Sequence, residues 1–301
     1  MKLITRKLIF LLCTWPVFSF AEIISLNVSL SEDTTITSDS DLIIKDGVEI
    51  VTNGHALTIF VKDNLIIQGN ASITSYQNAN NPIAPSKAQK GSNGGAASGQ
   101  GQPGKRGGNG ISGAAGENGA TPGGVSIFVV GDAQGSLRIT NNGGNGGNGG
   151  EGGDGGNGGK GGQGHRAKPN WVLGVAAGCE SGPGWGGVGG AGGNGGNGGD
   201  AGNGGDGGRI EFFVGGTAER LDLIAESRGG AKGNAGSGGE HGIGGHGGES
   251  GRGAAGCSGG HRPGKPGAIG SKGNPGRNGV EGTGGAILVR PEKLVEEAEN
   301  D

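Results

Sequence analysis

The residues best suited to chemistry are Lys105, Arg106, His165, Arg166, Lys168, Trp171, Trp185, His261, Arg262 and Lys265. They fall in three short stretches that interrupt an otherwise monotonous glycine-rich sequence. Exposed aromatic rings beside cations and turn residues are the materials of a recognition surface for carbohydrate or protein. A plainer reading competes equally, in which Trp171, Val172, Leu173 and Trp185 simply pack into a small apolar cap. Cys179 and Cys257 lie in two of the same stretches. Their pairing is expected, with two free thiols or an intermolecular bridge as the alternatives.

Other chemistries fit less well. His241 and His246, with Glu240 and Glu249, suggest a metal site, but in an extended chain rising about 3.1 Å per residue the histidines stand roughly 15 Å apart. They read as solvent-facing polar positions. The run Gly149 to Asn157 resembles the calcium-binding repeat of secreted β-rolls, yet Gly156 occupies the aliphatic position that a β-roll packs on. No Ser/His/Asp or Cys/His constellation has supporting context, and no Gly-Lys-Ser/Thr follows a strand to make a phosphate loop. No enzyme activity, cofactor or metal is expected.

The stretches that must position the candidate residues are repetitive. Gly143 to Gly164 runs Gly-Gly-X without an error, and Gly186 to Gly208 does so with only Ala201 in place of a glycine. A period of three matches polyglycine II geometry, which lacks internal hydrogen bonds, so its backbone must pair with neighbours or water. Gly101 to Gly119 and Gly264 to Gly282 keep glycine only every third residue, a collagen-like pattern expected at the edges of a bundle, with the Gly-Gly-X tracts at its centre. A tract of this length reaches roughly 70 Å at about 3.1 Å per residue.

Residues 22–76 differ in kind. Short β-branched runs, such as Leu42-Ile43-Ile44 and Leu57-Thr58-Ile59-Phe60-Val61, are broken by turn residues and read as strands. The run Ala56 to Val61 lines up with Val125 to Val130, Arg209 to Val214 and Ala286 to Val289. Each repeat is expected to contribute one coil of a β-helix-like base. One corner of that base is opened by insertions 77–124, 141–208 and 229–285, each a hairpin of polyglycine II helices. Strands in 125–140, 209–226 and 286–290 complete the base, and 291–301 forms an acidic tail. The expected fold class is therefore mainly β and irregular: a short β-helix-like base with inserted antiparallel polyglycine II hairpins packed into a bundle.

Bulk numbers narrow the rest. Eighty glycines and 4% aromatic residues exclude a single conventional core for 301 residues. Residues 1–21, with Lys2, Arg6 and Lys7 ahead of the apolar Leu8 to Phe20, read as a signal peptide, so the product is expected to be secreted, periplasmic or at the cell surface. No later stretch has the length of a membrane span. The formal net charge of −3 makes nucleic acid a poor partner.

The Gly-Gly-X tracts joined as hairpins resemble polyglycine II bundle proteins of two kinds: the tail-fibre tip adhesins of T-even-like bacteriophages and the glycine-rich antifreeze proteins of snow fleas. The first resemblance implies distal loops offered to a surface receptor, and the second a flat face that binds ice. The function expected is a secreted or cell-surface structural and adhesive protein carrying recognition loops on a glycine-rich scaffold. An ice-binding protein and an inert matrix or coat component are the alternatives.

Overall fold

The structure, a computed structural model, describes residues 22–76, 82–257 and 262–291. The expected signal peptide, His261 and the tail from residue 292 lie outside the described residues. Alternation of apolar and polar side chains gives each strand an inward and an outward row. The first strands are β1 (Glu22–Ile24), β2 (Val28–Ser29), β3 (Thr34–Ser38), β4 (Leu42–Ile44), β5 (Glu49–Val51), β6 (Leu57–Val61) and β7 (Leu65–Thr74). They are followed by β8 (Val125–Val129), β9 (Ala133–Thr140), β10 (Lys168–Val172), β11 (Val175–Ser181), β12 (Ile210–Val214), β13 (Arg220–Glu226) and β14 (Ile287–Pro291).

Parallel pairing collects all but β10 and β11 into two sheets. A seven-stranded sheet holds β1, β2, β4, β5, β7, β9 and β13, and a five-stranded sheet runs β14-β12-β8-β6-β3. The chain winds alternately through the two, so each strand lands in register on the one a coil earlier. Ile59 faces Ile127, which faces Phe212, and Leu57, Val125 and Ile210 stack likewise. These residues are buried together with Leu42, Ile44, Ile50, Leu65, Ile73, Leu137 and Ile139 from the other sheet, making one apolar core.

Side chains at a corner of the winding replace the missing ladder. Asp41 Oδ1 accepts the Asn64 N–H at 3.0 Å, Asn64 Oδ1 accepts that of Asp132 at 2.8 Å, and Asp132 Oδ1 accepts that of Thr217 at 2.7 Å. At another corner the link from β5 to β6 is short. The same corner is opened between β7 and β8, between β9 and β12, and between β13 and β14 by the glycine-rich stretches. Ser75, Asn141 and Ser227 sit buried at these three exits. Ser75 Oγ donates to the Asn142 carbonyl at 2.8 Å, Asn141 Nδ2 to Gly123 at 2.8 Å, and Ser227 Oγ to Gly208 at 2.7 Å.

Here the expected fold class is corrected. Among the described residues there is no helix, and the regular secondary structure is the two parallel sheets with a two-stranded ribbon. The fold is mainly β, not a bundle of polyglycine II helices. The glycine-rich stretches are extended segments tied to one another by hydrogen bonds that recur every third residue. Gly190, Gly193, Gly196 and Gly199 donate to the carbonyls of Gly159, Gly156, Gly153 and Gly150, an antiparallel match at 2.8 Å. The other glycine row of the same segment, at Gly189, Gly192, Gly195 and Gly198, donates in parallel to Lys265, Ala268, Ser271 and Asn274.

Such rungs join segments 82–99, 141–164 and 227–252 side by side, and segments 101–122, 184–208 and 262–285 likewise, with antiparallel rungs between the two rows. Segments 141–164 and 184–208 are bonded on both flanks as well as across. Where the X residue is Asn or Asp, its side chain meets a further N–H of the neighbouring segment. Asn145, Asn148 and Asn157 accept the N–H groups of Ala231, Asn234 and Ile243, and Asn194, Asn197 and Asp200 accept those of Ser271, Asn274 and Arg277. An extended backbone cannot satisfy itself internally, and this arrangement satisfies it from outside.

Candidate distal binding site

At the end of the glycine-rich segments far from the β base, the last rungs fix the positions of the candidate residues. The carbonyl of His165 accepts the Gly184 N–H at 2.8 Å, that of Arg252 accepts the Ala167 N–H at 2.9 Å, and that of Arg262 accepts the Gly186 N–H at 3.1 Å. Beyond them the chain forms a hairpin of its own. β10 and β11 pair antiparallel, with Val172 opposite Val175 and Lys168 opposite Ser181. Leu173 and Gly174 turn the corner with φ of 48° and 80°. Two successive positive φ values match the twist of a two-residue hairpin turn, and Gly174 adopts its value without steric cost.

A disulfide between Cys179 and Cys257, with Cα atoms 5.0 Å apart, ties this hairpin to the turn that ends segment 227–252. Cys257 is itself held by its N–H donating to the Ala254 carbonyl at 2.9 Å. The expected pairing of the two cysteines is present in the structure.

His165, Arg166, Lys168 and Trp171 are brought together. A cleft of about 680 Å³ is lined by Gln100, His165, Arg166, Lys168 and Ser181. A second, of about 540 Å³, lies beside it against Arg166, Pro169, Trp171, Glu180 and Ala254. The other candidates share this end without joining the clefts. Trp185 begins segment 184–208 and is 65% exposed. Lys105 and Arg106 lie on segment 101–122, and the Lys105 carbonyl accepts the Gly159 N–H. Arg262 and Lys265 lie on segment 262–285, and the Lys265 carbonyl accepts the Gly189 N–H. The apolar cap is not formed: Trp171 is 59% exposed, and Val172 and Leu173 are exposed as well.

Along the segments Lys87 pairs with Asp154 at 3.1 Å, Lys160 with Glu249 at 3.5 Å and Lys272 with Glu240 at 2.6 Å. The Asp154 carboxyl is held below its ordinary range, first by the Glu240 backbone N–H and then by Lys87. The Lys272 ammonium does the same to Glu240. At the distal end Lys105, Arg106, Arg166, Lys168, Arg252, Arg262 and Lys265 have no ion pair among the described residues. Glu180 is the carboxylate that lines a cleft there.

Arg252 and Val175 belong to this surface and were not apparent in the sequence. Arg252 is one of several scattered cations, and only the rung to Ala167 carries it to the hairpin. For Val175 a signal existed: the pattern Trp171-Val172-Leu173-Gly174-Val175 places a turn pair between β-branched residues. Among the described residues no group of three or more His, Cys, Asp or Glu side chains could hold a metal ion, and no helix is long and apolar enough to cross a membrane.

No protein-family model matches the chain, and no curated protein matches it. Among solved structures, a springtail antifreeze protein from Granisotoma rainieri, described as a nine polyproline type II helical bundle, is 20% identical over 67% of this chain and 90% of its own. Its TM-score of 0.11 is too low to carry an argument about fold or function.

Proposed function

We propose that this chain is an exported structural and adhesive protein, in which the cross-linked glycine-rich segments act as a stiff spacer and the distal end binds a cell surface. The observation that supports this reading most is a local concentration of chemistry. In a chain of formal net charge −3, the exposed indoles of Trp171 and Trp185 lie with Lys105, Arg106, Arg166, Lys168, Arg252, Arg262 and Lys265 where the segments turn, at the end opposite the β base. A disulfide at that end and the leader-like residues 1–21 accord with export.

A stiff spacer is a reasonable part of such a device. Ordering glycine is entropically costly, and that cost has been met in full before any partner arrives, so the distal residues bind without further ordering of the backbone that carries them.

The test is capture of the labelled mature chain, residues 22–301, by a panel of intact bacterial and eukaryotic cells. The same chain with 166–182 replaced by a short Gly/Ser turn and with Cys257→Ser should lose capture while keeping the unfolding transition of its β base. Undiminished capture by the shortened chain would sink the proposal.

A further inference from the structure

The tip of the distal hairpin carries an apolar patch that nothing else in the described chain covers. Trp171, Val172, Leu173 and Val175 occupy four of five consecutive positions and are all exposed, Leu173 by 99%. Exposed apolar residues elsewhere, such as Ile111, Val188, Ile243 and Ile269, stand singly along the segments, as surface residues ordinarily do. A contiguous patch on an otherwise polar molecule marks an interaction surface.

What lies behind the tip identifies the partner. From the turn backward, the hairpin presents Val172, Leu173 and Val175, then Trp171, then Lys168 and Arg166, with Arg252 joined to its base through Ala167. Apolar end, indole, then unpaired cations is the order of environments met on leaving the acyl region of a bilayer through its headgroups. Indole rings settle at the headgroup level, and arginine and lysine find the phosphates of anionic lipids. Two residues beyond Trp171, at about 3.3 Å each, reach roughly 7 Å, within the shallow depth typical of interfacial anchors. A polysaccharide would stack on Trp171 and meet the cations, but would gain nothing from Val172 and Leu173 at the turn.

We infer that the hairpin Lys168–Ser181 is a bilayer anchor, which inserts Val172, Leu173 and Val175 into the outer acyl region of a membrane bearing anionic headgroups. This rests on the adhesive reading of the same end and names its partner. The tip is already ordered by strand pairing and by the Cys179–Cys257 bond, so insertion requires no folding step.

The experiment uses the mature chain, with Trp171→Phe as the comparison that isolates the Trp171 contribution to emission and to capture, and phosphatidylcholine vesicles with and without phosphatidylglycerol. Co-sedimentation with the mixed vesicles is expected, with a blue shift of Trp171 emission. Leu173→Asn, a side chain suited to the φ of 48° at that position, should weaken partitioning about tenfold. Arg166→Gln with Lys168→Gln should weaken it roughly tenfold or more and reduce the preference for phosphatidylglycerol. Circular dichroism of each variant confirms folding. Absence of vesicle binding, while intact cells still capture the chain through Trp171, would overturn the bilayer anchor and leave an adhesin for a polysaccharide or protein. Absence of both would overturn the adhesive reading as well.

Discussion

Asp206 Oδ1 accepts two hydrogen bonds from one residue, Thr283: the backbone N–H at 2.7 Å and the Oγ1–H at 2.8 Å. Both favour the ionised carboxyl and hold it below its ordinary value of 3.8, the backbone bond being the larger cause. Asp132 is lowered in the same way by Thr217, and Asp154 by the Glu240 N–H and then Lys87. A carboxyl depressed in the folded state contributes stability that is fully present above its unfolded value and is lost as pH falls through the folded one. The thermal midpoint should therefore drop as pH is lowered from about 5 through the depressed values. The variant Asp132→Asn, Asp154→Asn, Asp206→Asn keeps an Oδ1 acceptor at each site, and its midpoint should fall less over the same range. Parallel curves for the two proteins would refute the assignment.

These bonds bear on what the sequence could disclose. The strands of the β base were legible, because Leu57-Thr58-Ile59-Phe60-Val61 and its later counterparts carry a period of two, and the repeat places their insertions at one corner. The three-residue period of Gly143 to Gly164 was equally visible. It reads as polyglycine II helix packed in a bundle, whereas among the described residues there is no helix and the regular structure is the parallel sheets, with the glycine-rich segments extended and tied to one another. A period of three fixes which residues share a face, and one or two glycine rows mark how many neighbours a segment has, but which distant segment pairs with which is non-local and leaves no mark on one segment alone. For the same reason the polar X positions looked merely solvated. Asn194 links two neighbours, its N–H donating to Asn109 and its Oδ1 accepting from Ser271, and no local pattern reveals that. In the distal end, residue type alone found His165, Arg166, Lys168 and Trp171, while the hairpin that groups them depends on Leu173 and Gly174.

Glycine between the segments is a steric requirement that substitution can measure. A Cβ on Gly196 would fall on the carbonyl oxygen of Ile111, a backbone atom that cannot move aside without breaking the rung to Gly153. Gly196→Ala should destabilise by about 1–3 kcal/mol or more. At Gly182, where a Cβ meets nothing within 4 Å, alanine should be neutral or stabilise by up to about 1 kcal/mol through the unfolded state. Urea midpoints of the two variants provide the comparison, and equal effects would mean that the segments are not in close contact.

The disulfide closes a loop with a sequence separation of 78. On the chain-entropy account, removing it should destabilise the protein by about 4 kcal/mol. Cys179→Ser with Cys257→Ser is the suitable variant, because it leaves no lone thiol. In amide hydrogen exchange the loss of protection should be largest at residues 168–181 and 254–257, exceeding the global loss that β6, β8 and β12 share. An equal loss at the hairpin and in the β base would show that the bond supports the whole fold and not the distal end in particular.

Within the β base, two neighbouring phenylalanines test which row carries the stability. Phe212 points inward and is 1% exposed, stacked in register on Ile127 and Ile59. Phe213 points outward, its ring stacked on Phe128 with centroids 5.2 Å apart and planes 3° from parallel. Phe212→Ala opens a cavity in the shared core and should destabilise by about 3–5 kcal/mol. Phe213→Ala removes a half-buried ring pair, worth about 0.5–1.5 kcal/mol beyond its buried area, and nothing collapses behind it. A larger loss for Phe213→Ala than for Phe212→Ala in urea unfolding would mean that the inward and outward rows are reversed, and with them the register of the stack.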